Sequence, residues 1–168
     1  MTYYLCSMES TIIPHPTLPK KERYQQLCVA LEGLLSGESD FTANSANMAA
    51  LIFQSFEFHW VGFYWVKGQE LVLGAFQGPV ACTRIKLGKG VCGKAWETEQ
   101  SILVPNVNEF PGHIACSPIS QSELVIPIVV DKEIIGVLDI DSAYLNDFDE
   151  EDQIGMASLI QIFEKTLS

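Results

Sequence analysis

The chain has 168 residues, with ten Lys and Arg against 21 Asp and Glu, giving a formal charge of −11 at pH 7. That length fits one domain of ordinary size, and 48% apolar against 18% charged residues is the composition of a cored protein rather than a disordered one. The acidic balance disfavours nucleic-acid and membrane partners, since both phosphate backbones and anionic lipid need clustered Lys and Arg.

No apolar run approaches the ~20 residues of a membrane span. The first seven residues hold neither the basic residue nor the sustained apolar stretch of a secretory signal. Five cysteines in a core-rich chain do not read as a secreted disulfide framework. Reduced thiols and a cytoplasmic location are the expectation.

Residues 1–19 carry Pro14, Pro16 and Pro19 without periodicity and read as an extended leader, with residues 20–168 as a single domain. From Lys20, Tyr24, Leu27, Cys28, Leu31, Leu34 and Leu35 fall on one helical stripe, and Gly37 is a stop. A second helix starts near Asp40, with Ala46, Ala49, Ala50 and Phe53 on its buried side. The run from His59 to Val66 is aromatic and β-branched, as strands are. Lys67-Gly68-Gln69 turns it into a second strand from Glu70 to Phe76, a hairpin.

A short strand from Cys82 to Lys86 leads through Gly88-Lys89-Gly90 to a helix from Val91 to Glu99, then a brief strand from Ser101 to Val104 and a loop from Pro105 to Pro118. Strands from Ser122 to Val130 and from Glu133 to Asp141 are joined at Asp131-Lys132. The last helix has Asp149 as N-cap, an acidic first turn suited to the helix dipole, and an apolar stripe of Met156, Leu159, Ile160, Phe163 and Leu167. The order predicts an α+β domain, an antiparallel sheet backed by helices.

Side chains alternate across a strand, so Asp139 and Asp141 share one face while Leu138 and Ile140 share the other. Adjacent carboxyls repel, and one can hold its proton at neutral pH, as a general acid or cation site would use; a solvated sheet face is the plainer alternative. By the same rule Trp60, Gly62 and Tyr64 share a face, where the glycine leaves a gap for a ligand unless the aromatics are simply core.

Among the thiols, Cys28 reads as buried and structural and Cys6 as uninvolved, whereas Cys82, Cys92 and Cys116 lie beside turns or loops. Cys92 opens a helix, where the dipole lowers a thiol pKa. Neither the cysteine spacings nor three histidines support a metal site, and Gly88-Lys89-Gly90-Val91-Cys92-Gly93 lacks the Gly-Lys-Ser/Thr ending of a phosphate loop.

Several segments occur together in one family: Trp60-Val61-Gly62-Phe63-Tyr64, Leu73-Gly74-Ala75-Phe76-Gln77-Gly78, Ala81-Cys82, Gly88-Lys89-Gly90-Val91-Cys92-Gly93, Gly112-His113-Ile114-Ala115-Cys116, Ser122-Glu123 and the run from Ile134 to Ser142. The chain resembles the GAF-domain free methionine-(R)-sulfoxide reductases over roughly residues 20–167. The resemblance implies a sheet of about six antiparallel strands flanked by helices. It implies Cys116 as the catalytic cysteine, Cys82 as the resolving one and Cys92 as an auxiliary redox cysteine, with either Cys82 or Cys92 forming the main disulfide.

It further implies that Trp60 and Tyr64 enclose the substrate methyl group and that Glu123, Asp139 and Asp141 line the sulfoxide pocket. No bound cofactor is implied, only an external dithiol such as thioredoxin, and a homodimer by analogy with GAF domains. A thiolate attacking the sulfoxide sulfur would become a sulfenic acid, and a second cysteine would condense with it. Carboxylates oppose a thiolate nearby, a conflict eased if Glu123 or Asp141 is protonated and serves as the acid while a remaining carboxylate holds the amino group. The same residues would also suit a non-catalytic GAF ligand sensor or a thiol redox switch. The absence of an effector segment after the last helix speaks against a sensor.

Overall fold

The computed structural model describes residues 13–114 and 116–167; Cys6, Ala115 and most of the expected leader lie outside them. The elements follow the expected order: α1 (Lys20–Leu35), α2 (Phe41–Ser55), β1 (Trp60–Lys67), β2 (Glu70–Gln77), β3 (Arg84–Lys86), α3 (Gly90–Thr98), β4 (Ile102–Val104), β5 (Ser122–Val130), β6 (Glu133–Ser142) and α4 (Glu150–Glu164). A 3₁₀ turn at Val107–Glu109 interrupts the loop that the sequence left unstructured. Ahead of α1 the chain is not simply extended, since the Leu18 amide donates to the His15 carbonyl at 3.1 Å and closes a turn.

The six strands form one antiparallel sheet in the order β3-β2-β1-β6-β5-β4. Alternation divides its side chains into two cores. Val61, Phe63, Trp65, Leu124, Ile126, Ile128, Leu138 and Ile140 pack under α1, α2 and α4. Trp60, Tyr64, Val125 and Val137 face the other way, under α3 and its flanking loops. The β5–β6 hairpin closes through Asp131 and Lys132, both at positive φ (52° and 68°), which matches the right-handed twist of the strands.

Two helix faces differ in detail from expectation. On α2 only Ala49 of the expected apolar set is fully buried, and Ser45, Met48, Ile52 and Ser55 complete the inward stripe. The helix can turn this face inward because Ser45 Oγ and Ser55 Oγ donate to the Thr42 and Leu51 carbonyls, at 3.1 and 2.7 Å, leaving no bare hydroxyl. Cys28 sits at the edge of its stripe, half-buried, because Leu27 and Leu31 take the centre.

The acidic start of α4 does more than complement the dipole. Asp149 and Asp152 form a reciprocal capping box. Asp152 is itself 1% exposed, receiving the Tyr24 hydroxyl at 2.8 Å and the Lys20 ammonium at 2.6 Å. These bonds dock α1 on α4 at a point where Gly155 meets the Tyr24 ring, and a Cβ on Gly155 would stand 2.2 Å from Tyr24 Cγ.

Overpacking of this kind costs ~1–3 kcal/mol. Urea unfolding of Gly155→Ala should show that loss. Gly33→Ala, in α1 with nothing within 4 Å of the added carbon, should gain up to ~1 kcal/mol from helix propensity alone.

Candidate active site

The site is assembled by strand register. β1 and β6 pair Trp60 with Asp141, Gly62 with Asp139 and Tyr64 with Val137, and β5 and β6 pair Glu123 with Asp141 and Val125 with Asp139. Trp60, Tyr64, Glu123, Asp139 and Asp141 therefore occupy one face of three neighbouring strands. They line a single cavity with Cys92 of α3 and with His113, Cys116 and Ser117 of the loop before β5. Each sequence-predicted site residue except Cys82 lines this cavity, and Cys82 is joined to it by a bond to Cys116.

The aspartates do not stand on a solvated face: Asp139 is 7% and Glu123 6% exposed, and Asp141 is half-buried. Burial raises all three carboxyl pKa values. It lifts Glu123 and Asp139 well above the usual carboxylate range, with the neighbouring acids adding to the rise. Asp141 is pushed up to about 6 by burial.

The gap expected over Gly62 is filled from within. A Cβ there would lie 2.4 Å from the Trp60 indole and 2.5 Å from Phe76 Cβ, so the glycine lets the Trp60 ring lie down over its own strand. Trp60 then stacks near Tyr64 and on Phe76, with ring centroids 5.9 and 5.4 Å apart. The indole N–H donates to the Pro79 carbonyl at 3.1 Å and the Tyr64 hydroxyl to the Cys82 carbonyl at 3.0 Å. The aromatics thus hold the segment that carries Cys82, while their faces form one wall of the cavity.

The lowered pKa expected for Cys92 is overturned. It stands in the first turn of α3, yet its thiol pKa is raised well above normal, first by burial and then by Asp139 and Glu123. At 3% exposure, the loss of water and the adjacent acids outweigh the helix dipole. The thiol lies 3.9 Å from Glu123 Oε1 and donates to it. Cys92, Glu123 and Asp139 bring three polar atoms within 4.8 Å of one another, a convergence no sequence spacing displays. Cys92 donates to Glu123, whereas Asp139 Oδ1 is buried without a hydrogen-bond partner, and we assign no metal to the three.

Cys82 and Cys116 form a disulfide across 34 residues, with Cα atoms 5.6 Å apart, linking the loop after β2 to the loop before β5. Cys116 is exposed and Cys92 is a free buried thiol. Two histidines to which the sequence pattern assigns no role also meet this loop or belong to it. His59 Nε2 pairs with Ser117 Oγ at 3.0 Å, tying the loop to the start of β1. His113, three residues before Cys116, turns Nδ1 toward Glu123 Oε2 at 3.9 Å without a hydrogen bond, and burial lowers its pKa. Its place within the Gly112–Cys116 motif was the available signal.

The pKa of Asp141 ties folding stability to pH. Its carboxyl holds a proton up to about pH 6 in the folded chain but releases it near 3.8 when unfolded. In that window the folded state binds more protons, so stability falls as pH rises through it. With the disulfide intact, Asp141→Asn should flatten the decline in thermal unfolding midpoint between about pH 4 and pH 6. An unchanged slope would remove Asp141 as its source.

Comparison with known proteins agrees with this fold. Residues 46–162 match the family model described as the GAF domain. The chain is 51% identical over 146 residues to GAF domain-containing protein A of Dictyostelium discoideum, covering 86% of this chain and 92% of the relative. It is 44% identical over 150 residues to the free methionine-R-sulfoxide reductase of Escherichia coli (strain K12), covering 89% of this chain and 91% of the relative. Among solved structures, the free methionine-R-sulfoxide reductase from Neisseria meningitidis in complex with its substrate superposes with a TM-score of 0.89 at 43% identity, over 93% of this chain and 95% of that one. The chain belongs to the GAF-domain family and, within it, to the free methionine-R-sulfoxide reductases.

Proposed function

We propose that this protein reduces free L-methionine-(R)-sulfoxide to methionine, with Cys116 as nucleophile and Cys82 as resolving cysteine, within one domain spanning residues 20–168. The carrying observation is a cavity with three carboxyl groups and, among its lining residues, no Lys or Arg. A free amino acid brings an α-ammonium group that such a cavity can hold, and a methionine within a peptide does not. Asp141, ionised above about pH 6, is the ammonium partner. Trp60 and Tyr64 offer aromatic faces to the polarised S-methyl group.

Glu123 is the acid. Its raised pKa keeps a proton available at neutral pH. The Cys116 thiolate attacks the sulfoxide sulfur while the oxygen takes that proton, and the hydroxyl so formed then passes to Cys116 Sγ as the S–O bond and the transient bond between Sγ and the substrate sulfur break. Methionine departs reduced by two electrons, and Cys116 is oxidised to the sulfenic acid. The Cys82 thiol condenses with it, releasing water and forming the disulfide seen between these two residues. An external dithiol such as thioredoxin supplies two electrons to reopen the bridge. Cys116 suits the attack because it is exposed on a loop, whereas Cys92 is buried against the acids that keep it protonated.

The test follows loss of free L-methionine-(R)-sulfoxide with dithiothreitol. Wild type should turn over, and Cys116→Ser should lose at least ~100-fold in kcat. The N-acetylated sulfoxide, which lacks the ammonium charge, should show kcat/KM reduced by about tenfold or more, as expected for losing one buried charge pair. Efficient reduction of peptide-bound sulfoxide, or full activity in Cys116→Ser, would overturn the assignment. Inactivity of wild type would favour a ligand sensor or thiol switch.

A further inference from the structure

We propose that Cys92 is a positioning residue, not a member of the redox relay: its thiol holds Glu123 by a hydrogen bond that fixes how the acid faces the substrate. The inference rests on Glu123 as the acid and extends it. Its basis is the way α3 is seated. Gly93 lies so close to the sheet edge that a Cβ would stand 2.4 Å from the Lys86 carbonyl oxygen. Gly90 begins the helix at φ 61°. These two glycines bring the first turn of α3 down on β5 and β6 and leave Cys92 buried beneath it.

There Sγ meets Glu123 Oε1 at 3.9 Å, while Oε2 lies on the other side of the carboxyl, toward His113 at 3.9 Å. One oxygen of Glu123 is thus pinned by the thiol and the other is directed along the cavity. The partner cysteines are already matched to each other, since Cys82 and Cys116 form the disulfide and Cys92 remains free. A thiolate at Cys92 would add an anion to a space that holds Glu123 from β5, Asp139 and Asp141 from β6 and the Tyr64 hydroxyl from β1, with His113 neutral on the loop. A protonated S–H adds none. It donates to Glu123 and draws the Glu123 pKa down from the height that burial alone would give it.

Three variants and one spectrum test this. Cys92→Ala removes the donor. Its kcat should fall about tenfold with KM nearly constant, and the alkaline limb of its kcat–pH profile should move to higher pH, because Glu123 loses a bond that favours its charged form. Cys92→Ser restores a donor and should recover kcat to within about threefold and return the limb toward wild type. In both variants, one round of substrate reduction should still link Cys82 to Cys116, read by mass mapping after thiol alkylation.

The S–H stretching band of oxidised, substrate-free protein, assigned to Cys92 by its loss in Cys92→Ser, should shift toward the free-thiol position in Glu123→Gln. This spectrum needs no turnover, so it tests the contact even if the substrate assignment fails. The proposal is overturned by a band indifferent to Glu123→Gln, by Cys92→Ser as inactive as Cys92→Ala, or by a Cys92-containing disulfide accumulating in wild-type turnover.

Discussion

Three carboxyl groups in a space with little water cannot all be charged, and the rest of the site follows from that constraint. Two like charges a few ångströms apart in a poorly solvated cavity repel strongly enough to force protonation. Glu123 and Asp139, the most enclosed, take protons first, whereas Asp141 at the half-exposed end keeps a pKa of about 6. One cavity therefore carries both a proton source and an anion at neutral pH, a separation of roles between like residues that depth alone produces.

The fold makes this arrangement tolerable by giving it a rigid frame. β1, β6 and β5 turn one face to a continuous apolar core under three helices, and that face supplies the stability that the polar side does not. On the cavity side the ring of Trp60 lies over Gly62, and its N–H reaches the segment carrying Cys82. Tyr64 holds the same segment by its hydroxyl, and His59 holds the opposite loop through Ser117. The two bridged cysteines thus sit on loops anchored at their bases to β1, while the acids sit on the strands themselves. Loops can open and close a disulfide without disturbing the strand register on which the carboxyl cluster depends.

What the chain discloses on reading alone is what depends on local rules. Strand alternation put Asp139 and Asp141 on one face with Leu138 and Ile140 opposite, as the sheet has them, and the Asp149 cap and the Gly37 stop are where local chemistry demands. Features that need two distant segments stayed hidden. Nothing near Asp152 indicates that Tyr24, 128 residues earlier, would bury it. The solvated reading of the aspartates could not be dismissed without the β5 pairing that sets Glu123 beside Asp141. A helix dipole lowers a thiol pKa in an exposed first turn, but at Cys92 burial against the acids outweighs it. The gap over Gly62 was real, but the residue that fills it is its neighbour two places away.

The burial of Cys92 against the acids bears on how the chemistry is divided. A nucleophilic thiolate needs water or positive charge near it, and a proton-holding carboxylic acid needs the reverse. Both cannot occupy one microenvironment, so a reaction that needs both has to draw them from different depths. In this chain the depth difference is built by connection. The acids come from central strands, and the exposed cysteine comes from a long loop between β4 and β5 whose end is tied back to β2's loop by the disulfide. Cys92 lies among the buried acids and shares their protonated state, whereas Cys116 is exposed on its loop. The position of each thiol relative to the carboxyl cluster, more than its distance from a helix end, decides which of them can act as a nucleophile.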